Sequence, residues 1–93
     1  METFSEREPR ATTQPEDFQV AHRDTGGYVV VETVEDEDGD VTFDDVAGPY
    51  RKMASAERWI WRTCDRMLMD GRYTGRPWWR ERSSYRSPEE PEG

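Results

Sequence analysis

Residues 53–70, MASAERWIWRTCDRMLMD, closed by Gly71, are the one stretch long and periodic enough to dictate an element unaided. At about 100° per residue, Met53, Ala56, Ile60, Thr63, Cys64 and Met67 fall on one side, with Leu68 at its margin. Trp59 and Trp61 flank that stripe, and Arg58, Arg62, Asp65, Arg66 and Met69 lie behind it. The pattern predicts an amphipathic helix with an apolar face and an arginine-rich back. Gly71 suits a left-handed cap, and Arg66 and Arg72 complement the negative end of the helix dipole. Lys52 is a poor N-cap, so Ser55 is the better candidate. The rest of the chain is read as what this apolar face packs against.

Upstream, the periodicity changes from 3.6 to 2. FQVAHR (residues 18–23) alternates, with Phe18, Val20 and His22 on one side. The following Asp24-Thr25-Gly26-Gly27 is turn chemistry, because glycine supplies positive φ. YVVVETV (residues 28–34) is β-branched and aromatic, with Tyr28, Val30, Glu32 and Val34 on one face and Val29, Val31 and Thr33 on the other. Apolar residues on both faces mark it as the central strand. Asp38-Gly39 turns the chain again, and VTFDDV (residues 41–46) gives a third strand with Val41 and Phe43 inward. Gly48-Pro49 ends it. The expectation is an α+β domain over residues 17–71, three antiparallel strands with one long helix packed on one face (βββα).

The 93 residues set one domain at most, with 32% hydrophobic and 37% charged side chains, near the boundary with disordered chains. Four Trp, four Tyr and three Phe supply the area to bury. Residues 1–16, with Pro9 and Pro15, read as a flexible tail, and residues 87–93 as an acidic one. Between helix and tail, residues 72–86 hold five arginines and four aromatics. They either pack back or bind a partner. In the first case the chain after Gly71 bends at Pro77 and lays Trp78 or Trp79 on the sheet face of Val29 and Val31.

Charge is distributed unevenly. The formal net charge is −8, yet residues 1–50 hold 3 basic and 14 acidic side chains and residues 51–93 hold 10 basic and 7 acidic. That argues against non-specific nucleic-acid binding by the whole chain. It points to a cationic partner for the acidic hairpin surface, formed by Glu32, Glu35, Asp36, Glu37, Asp38, Asp40, Asp44 and Asp45. The alternative is nucleic acid held by the helix ridge Arg58, Arg62 and Arg66 with Arg72, Arg76, Trp78, Trp79, Arg80 and Arg82, since arginine and aromatics grip phosphates and stack on bases. A homodimer, or a structural virion or assembly component, also fits this composition.

No catalytic constellation is legible. His22, the single histidine, has only turn residues nearby, and Thr25-Gly26-Gly27 lacks the lysine and following helix of a phosphate loop. Cys64 lies on the apolar helix face, unsuited to a nucleophile. Asp36, Asp38 and Asp40 alternate like calcium ligands, but Gly39 falls at position four instead of six and Ala47 at twelve. The chain is therefore expected to be non-enzymatic, with no cofactor or metal. One cysteine, no apolar run of spanning length and an amino terminus without a secretory core predict a cytoplasmic protein off the membrane.

Gly26-Gly27-Tyr28-Val29-Val30, then Gly48-Pro49-Tyr50, then Ser55-Ala56-Glu57-Arg58-Trp59-Ile60 resembles the arm-type DNA-binding domains of phage integrases and many short phage and prophage proteins. The resemblance covers residues 18–70. It implies the βββα fold and a phage or prophage origin, with action on a host macromolecule in the host cytoplasm. In those domains the sheet reads DNA with basic and polar side chains. This sheet carries carboxylates instead, so no DNA-contacting residue carries over. The acidic hairpin, rather than the resemblance, then leads to the expectation of an accessory protein that engages a basic host protein surface, as an inhibitor or modulator of a nucleic-acid-handling protein.

Overall fold

The computed structural model describes residues 3–81. The fold is α+β, with one helix and an antiparallel sheet, but the sheet has four strands, not the three expected. They are β1 (Ser5–Glu6), β2 (Phe18–His22), β3 (Tyr28–Glu35) and β4 (Val41–Tyr50), in the order β1-β4-β3-β2. The helix α1 spans Met53–Met69, and single 3-10 turns lie at Pro15–Asp17 and Trp78–Glu81.

The helix starts at Met53 with Lys52 in the N-cap position, where it makes no side-chain cap bond, so Ser55 is inside the helix and not its cap. Its other end follows the sequence. Gly71 has φ +78°, and the N–H groups of Arg72 and Gly71 donate to the carbonyls of Met67 and Leu68 at 2.9 and 3.2 Å. This paired closure satisfies carbonyls that the helix leaves orphaned.

The core lies between α1 and one sheet face. Phe18, Val30, Val46 and Ala47 meet Ala56, Ile60, Cys64 and Met67 there, all buried. The register explains why Val46 and Ala47, neighbours in sequence, both take part. Val30 opposes Ala47 while Val31 opposes Asp45, so β4 carries an extra residue at that point. Such a bulge reverses the facing of everything before it. Val41 and Phe43, expected inward, therefore point away from the helix, at 53% and 55% exposure. Asp44 turns to the helix side instead.

Gly48-Pro49 does not end the third strand, because β4 continues to Tyr50, paired with Tyr28. Glycine is required at 48. Its φ is +132°, and a Cβ there would stand 3.0 Å from both the Tyr28 carbonyl oxygen and Val29 Cγ1.

The amino-terminal segment departs most from expectation. Residues 3–16, read as a flexible tail, begin with β1 against β4, Ser5 opposite Gly48 and Glu6 opposite Ala47. The chain then crosses from that edge of the sheet to the other, where the Pro15–Asp17 turn leads into β2. The turn closes itself, since Asp17 accepts from the Gln14 N–H at 2.9 Å and donates its own N–H to the Gln14 carbonyl at 2.9 Å. At the far end, Trp79 is fully buried in the same core as α1. The chain after Gly71 does pack back, but against the helix, not on the Val29 and Val31 face.

Candidate functional site

The eight carboxylates of the acidic hairpin surface divide into two groups. Glu32 belongs to the first. Period 2 from Val30 places it on the helix side of β3, where the amino-terminal segment crosses over it, and it is fully buried, not part of a surface. Its Oε1 accepts from Arg7 Nη2 at 2.9 Å and Arg10 Nε at 3.3 Å, and its Oε2 from the Thr13 hydroxyl at 2.9 Å and the Arg10 N–H at 3.2 Å. Burial alone would raise its pKa. The bonds from Arg7, Thr13 and the Arg10 backbone, with the Arg7 charge, outweigh that and hold it below the usual carboxylate value. Asp44 receives Arg10 Nη2 at 2.7 Å, and Asp45 is paired with Arg23.

Arg7, Arg10 and Arg23 are all the cations that residues 1–50 contain. Each is engaged by Glu32, Asp44 or Asp45. The second group, Glu35, Asp36, Glu37, Asp38 and Asp40, is left with no ion pair among the described residues, and all five are exposed.

These five cap a ribbon. Beyond Glu32 the pairing of β2 with β3 ends, and β3 and β4 continue together through Thr33–Phe43, Val34–Thr42 and Glu35–Val41. Gly39 has φ +86° and donates to the Asp36 carbonyl at 3.0 Å, giving the three-residue loop that a type I turn with a glycine bulge makes. Asp36 Oδ1 accepts from the N–H groups of Asp38 and Asp40 at 2.9 and 2.8 Å, so Asp36 also holds the turn. The carboxylates of Asp36, Asp38 and Asp40 come within 4.8 Å of one another. Like charges so close repel one another and make the local potential strongly negative, which a cationic group relieves.

The basic alternative is dispersed by the fold. Arg58 is buried. Arg72 donates to the carbonyls of Arg10 and Ala11, Arg76 pairs with Glu81, and Arg80 Nε meets Asp65 at 3.0 Å. Trp79 is buried and Trp78 half-buried, so Trp79 has no free ring face on which a base could stack. Arg82 and residues 87–93 lie outside the described residues. Of this set, among the described residues, Arg62 and Arg66 are exposed with neither an ion pair nor a side-chain hydrogen bond, in a groove with Trp59, Glu6 and Glu8. Two glutamates on the facing wall reduce its appeal to an anion.

His22 stacks on Tyr28 at 4.9 Å, across the strand pair. Cys64 is fully buried, and burial with the nearby Asp65 and Glu16 carboxylates pushes its thiol up to about 12. Iodoacetamide at pH 8 should therefore leave the native protein unmodified and label Cys64 only in denaturant, as mass spectrometry would show. Labelling of the native chain at the free-thiol rate would contradict this core.

What the sequence did not reveal about the ribbon is its apolar side. Val41 and Phe43 stand half-exposed beside the acidic tip because of the bulge at Val46 and Ala47, which leaves no mark in composition or period. No helix of the described residues is long and apolar enough to cross a membrane. Comparison of the chain with protein-family models, curated proteins and solved structures gives no match. A functional reading therefore rests on the site.

Proposed function

We propose that this chain is a non-enzymatic interaction protein whose acidic ribbon tip docks on a basic surface of a partner protein. The observation that supports the reading most is the division of carboxylates. Glu32, Asp44 and Asp45 are neutralised internally by all three cations of their half, while Glu35, Asp36, Glu37, Asp38 and Asp40 are displayed together without any. A rigid array of this kind steers a cationic surface and accelerates encounter. A surface that accepts such an array also accepts phosphates, so the partner is a protein that handles nucleic acid and the two compete.

The test keeps the turn and removes the charge. Glu35→Gln, Glu37→Gln, Asp38→Asn and Asp40→Asn together spare Asp36, whose oxygen holds the loop. Circular dichroism should be unchanged. Proteins captured from nuclease-treated lysate by the wild type should be lost with the variant and displaced by double-stranded DNA. Their association rate should fall about tenfold at low salt and converge with wild type as salt rises. Equal capture by both chains would refute the reading. Capture that disappears on nuclease treatment would favour the groove of Arg62 and Arg66 and a nucleic-acid partner.

A further inference from the structure

We infer that the partner engages the ribbon as a β-strand: a lysine- or arginine-rich extended segment adds along the free edge of β4 from Val41 to Asp44, beside the acidic tip. The inference rests on the reading of the tip as a contact for a basic protein, and adds the mode of binding.

β1 covers only a short part of the β4 edge. It pairs at Ala47 and Gly48, and Arg7 extends the cover by donating its N–H to the Val46 carbonyl at 2.9 Å and its Nε to the Asp45 carbonyl at 3.0 Å. From Asp44 back to Val41 the edge is open. The direction of the backbone groups there follows from the ladder. In an antiparallel pair, alternate residues turn N–H and C=O toward the neighbour. The Asp36 N–H donates to the Asp40 carbonyl at 2.9 Å, so Asp40, just before β4, and then Thr42 and Asp44 within it address β3. Val41 and Phe43 aim theirs outward, and neither has a hydrogen-bond partner there among the described residues.

The same two residues carry exposed apolar side chains, at 53% and 55%, on the face away from the helix. A strand laid on this edge would satisfy their backbone groups and cover both side chains. It would also bring its own charged side chains up to Glu35, Asp36, Glu37, Asp38 and Asp40. Strand addition of this kind takes affinity from main-chain bonds and specificity from alternate side chains. The charge selects the occupant. A second copy would bring its own −8 and its own five tip carboxylates, whereas a basic segment is attracted. β2, at the other edge of the sheet, presents Gln19 and Ala21 on that face and exposes no large apolar side chain.

The experiment uses the full chain and two synthetic octapeptides of equal charge, (Lys-Val)4 and (Lys-Pro)4. The second cannot donate from its prolines and does not form a regular strand. Binding is followed by titration at low salt, and backbone hydrogen exchange is read residue by residue. With (Lys-Val)4 at saturation, the amides of Val41 and Phe43 should slow by at least about tenfold, while those of Thr42 and Asp44, already bonded to β3, change little. (Lys-Pro)4 should bind more weakly and leave all four unchanged. If both peptides bind and neither slows Val41 and Phe43, strand addition is wrong and the electrostatic reading of the tip survives. If neither binds, both readings fall. If the free protein sediments as a dimer with Val41 and Phe43 already protected, a second copy occupies the edge and the inference is overturned.

Discussion

Trp79→Ala will cost about 3–5 kcal/mol of stability, the range for removing a large aromatic from a packed core. A small domain holds only about 5–15 kcal/mol in all, so a chain cut after Gly71 should not unfold cooperatively. Trp79 is completely buried, and its cavity cannot collapse easily. Tyr73 lies 5.5 Å and Trp78 5.7 Å from its ring, and Cys64, Met67 and Ile60 of α1 belong to the same cluster. Its indole N–H donates to Asp65 Oδ1 at 2.6 Å, the oxygen that also receives Arg80 Nε. The ring thus ties the 3-10 turn to the flank of the helix by packing and by a bond to a charged acceptor. Trp79→Phe separates the two contributions. It keeps most of the packing and leaves Asp65 to Arg80, and should cost about 1–2 kcal/mol. Urea titrations of the three chains check this. An unchanged midpoint for Trp79→Ala would mean the turn adds nothing to the core.

How far the sequence carried depends on the range of each interaction. The helix, its glycine closure and both hairpin turns are local, and their residues announce them. The side chosen by Trp79 is not local. Residues 72–86 have the composition of a lid, but choosing between two apolar sheet faces needs to know that Asp65 stands on the helix flank with an acceptor to offer. The fourth strand was hidden for a related reason. Residues 3–16 have no hydrophobic period, because arginines hold them, with Arg7 reaching Glu32 across 25 positions. One clue was present. Period 2 set Glu32 on the same face as Val30, and a carboxylate on a buried face requires cations from elsewhere in the chain. Only Arg7, Arg10 and Arg23 were available in that half. At the site, the acidic loop was legible from five charges interrupted only by Gly39, but the exposure of Phe43 was not. A one-residue bulge reverses facing without altering any residue type.

Deleting residues 1–12 should destabilise the domain by about 3–5 kcal/mol, the cost of leaving a buried charge without its partners. The deletion removes β1, Arg7 and Arg10 and leaves Glu32 with the Thr13 hydroxyl alone. Arg7→Ala grades the same effect. Arg10 and Thr13 still serve the carboxylate, Arg7 itself is partly solvated, and the loss should be nearer about 1–3 kcal/mol. Acidification provides a separate signature. The folded pKa of Glu32 lies below its unfolded value of 4.5, so the unfolded chain takes up its proton first. The contribution of Glu32 is fully present above pH 4.5 and disappears as pH falls through the folded value. The chain holds 20 further Asp and Glu side chains, so the comparison must be between chains. Against wild type, Glu32→Gln should flatten the loss of stability on going from pH 6 to pH 3, and Arg7→Ala should flatten it partly. Chemical denaturation at a series of pH values measures both. Parallel curves for wild type and Glu32→Gln would show that the buried carboxylate does not link the amino-terminal segment to the sheet.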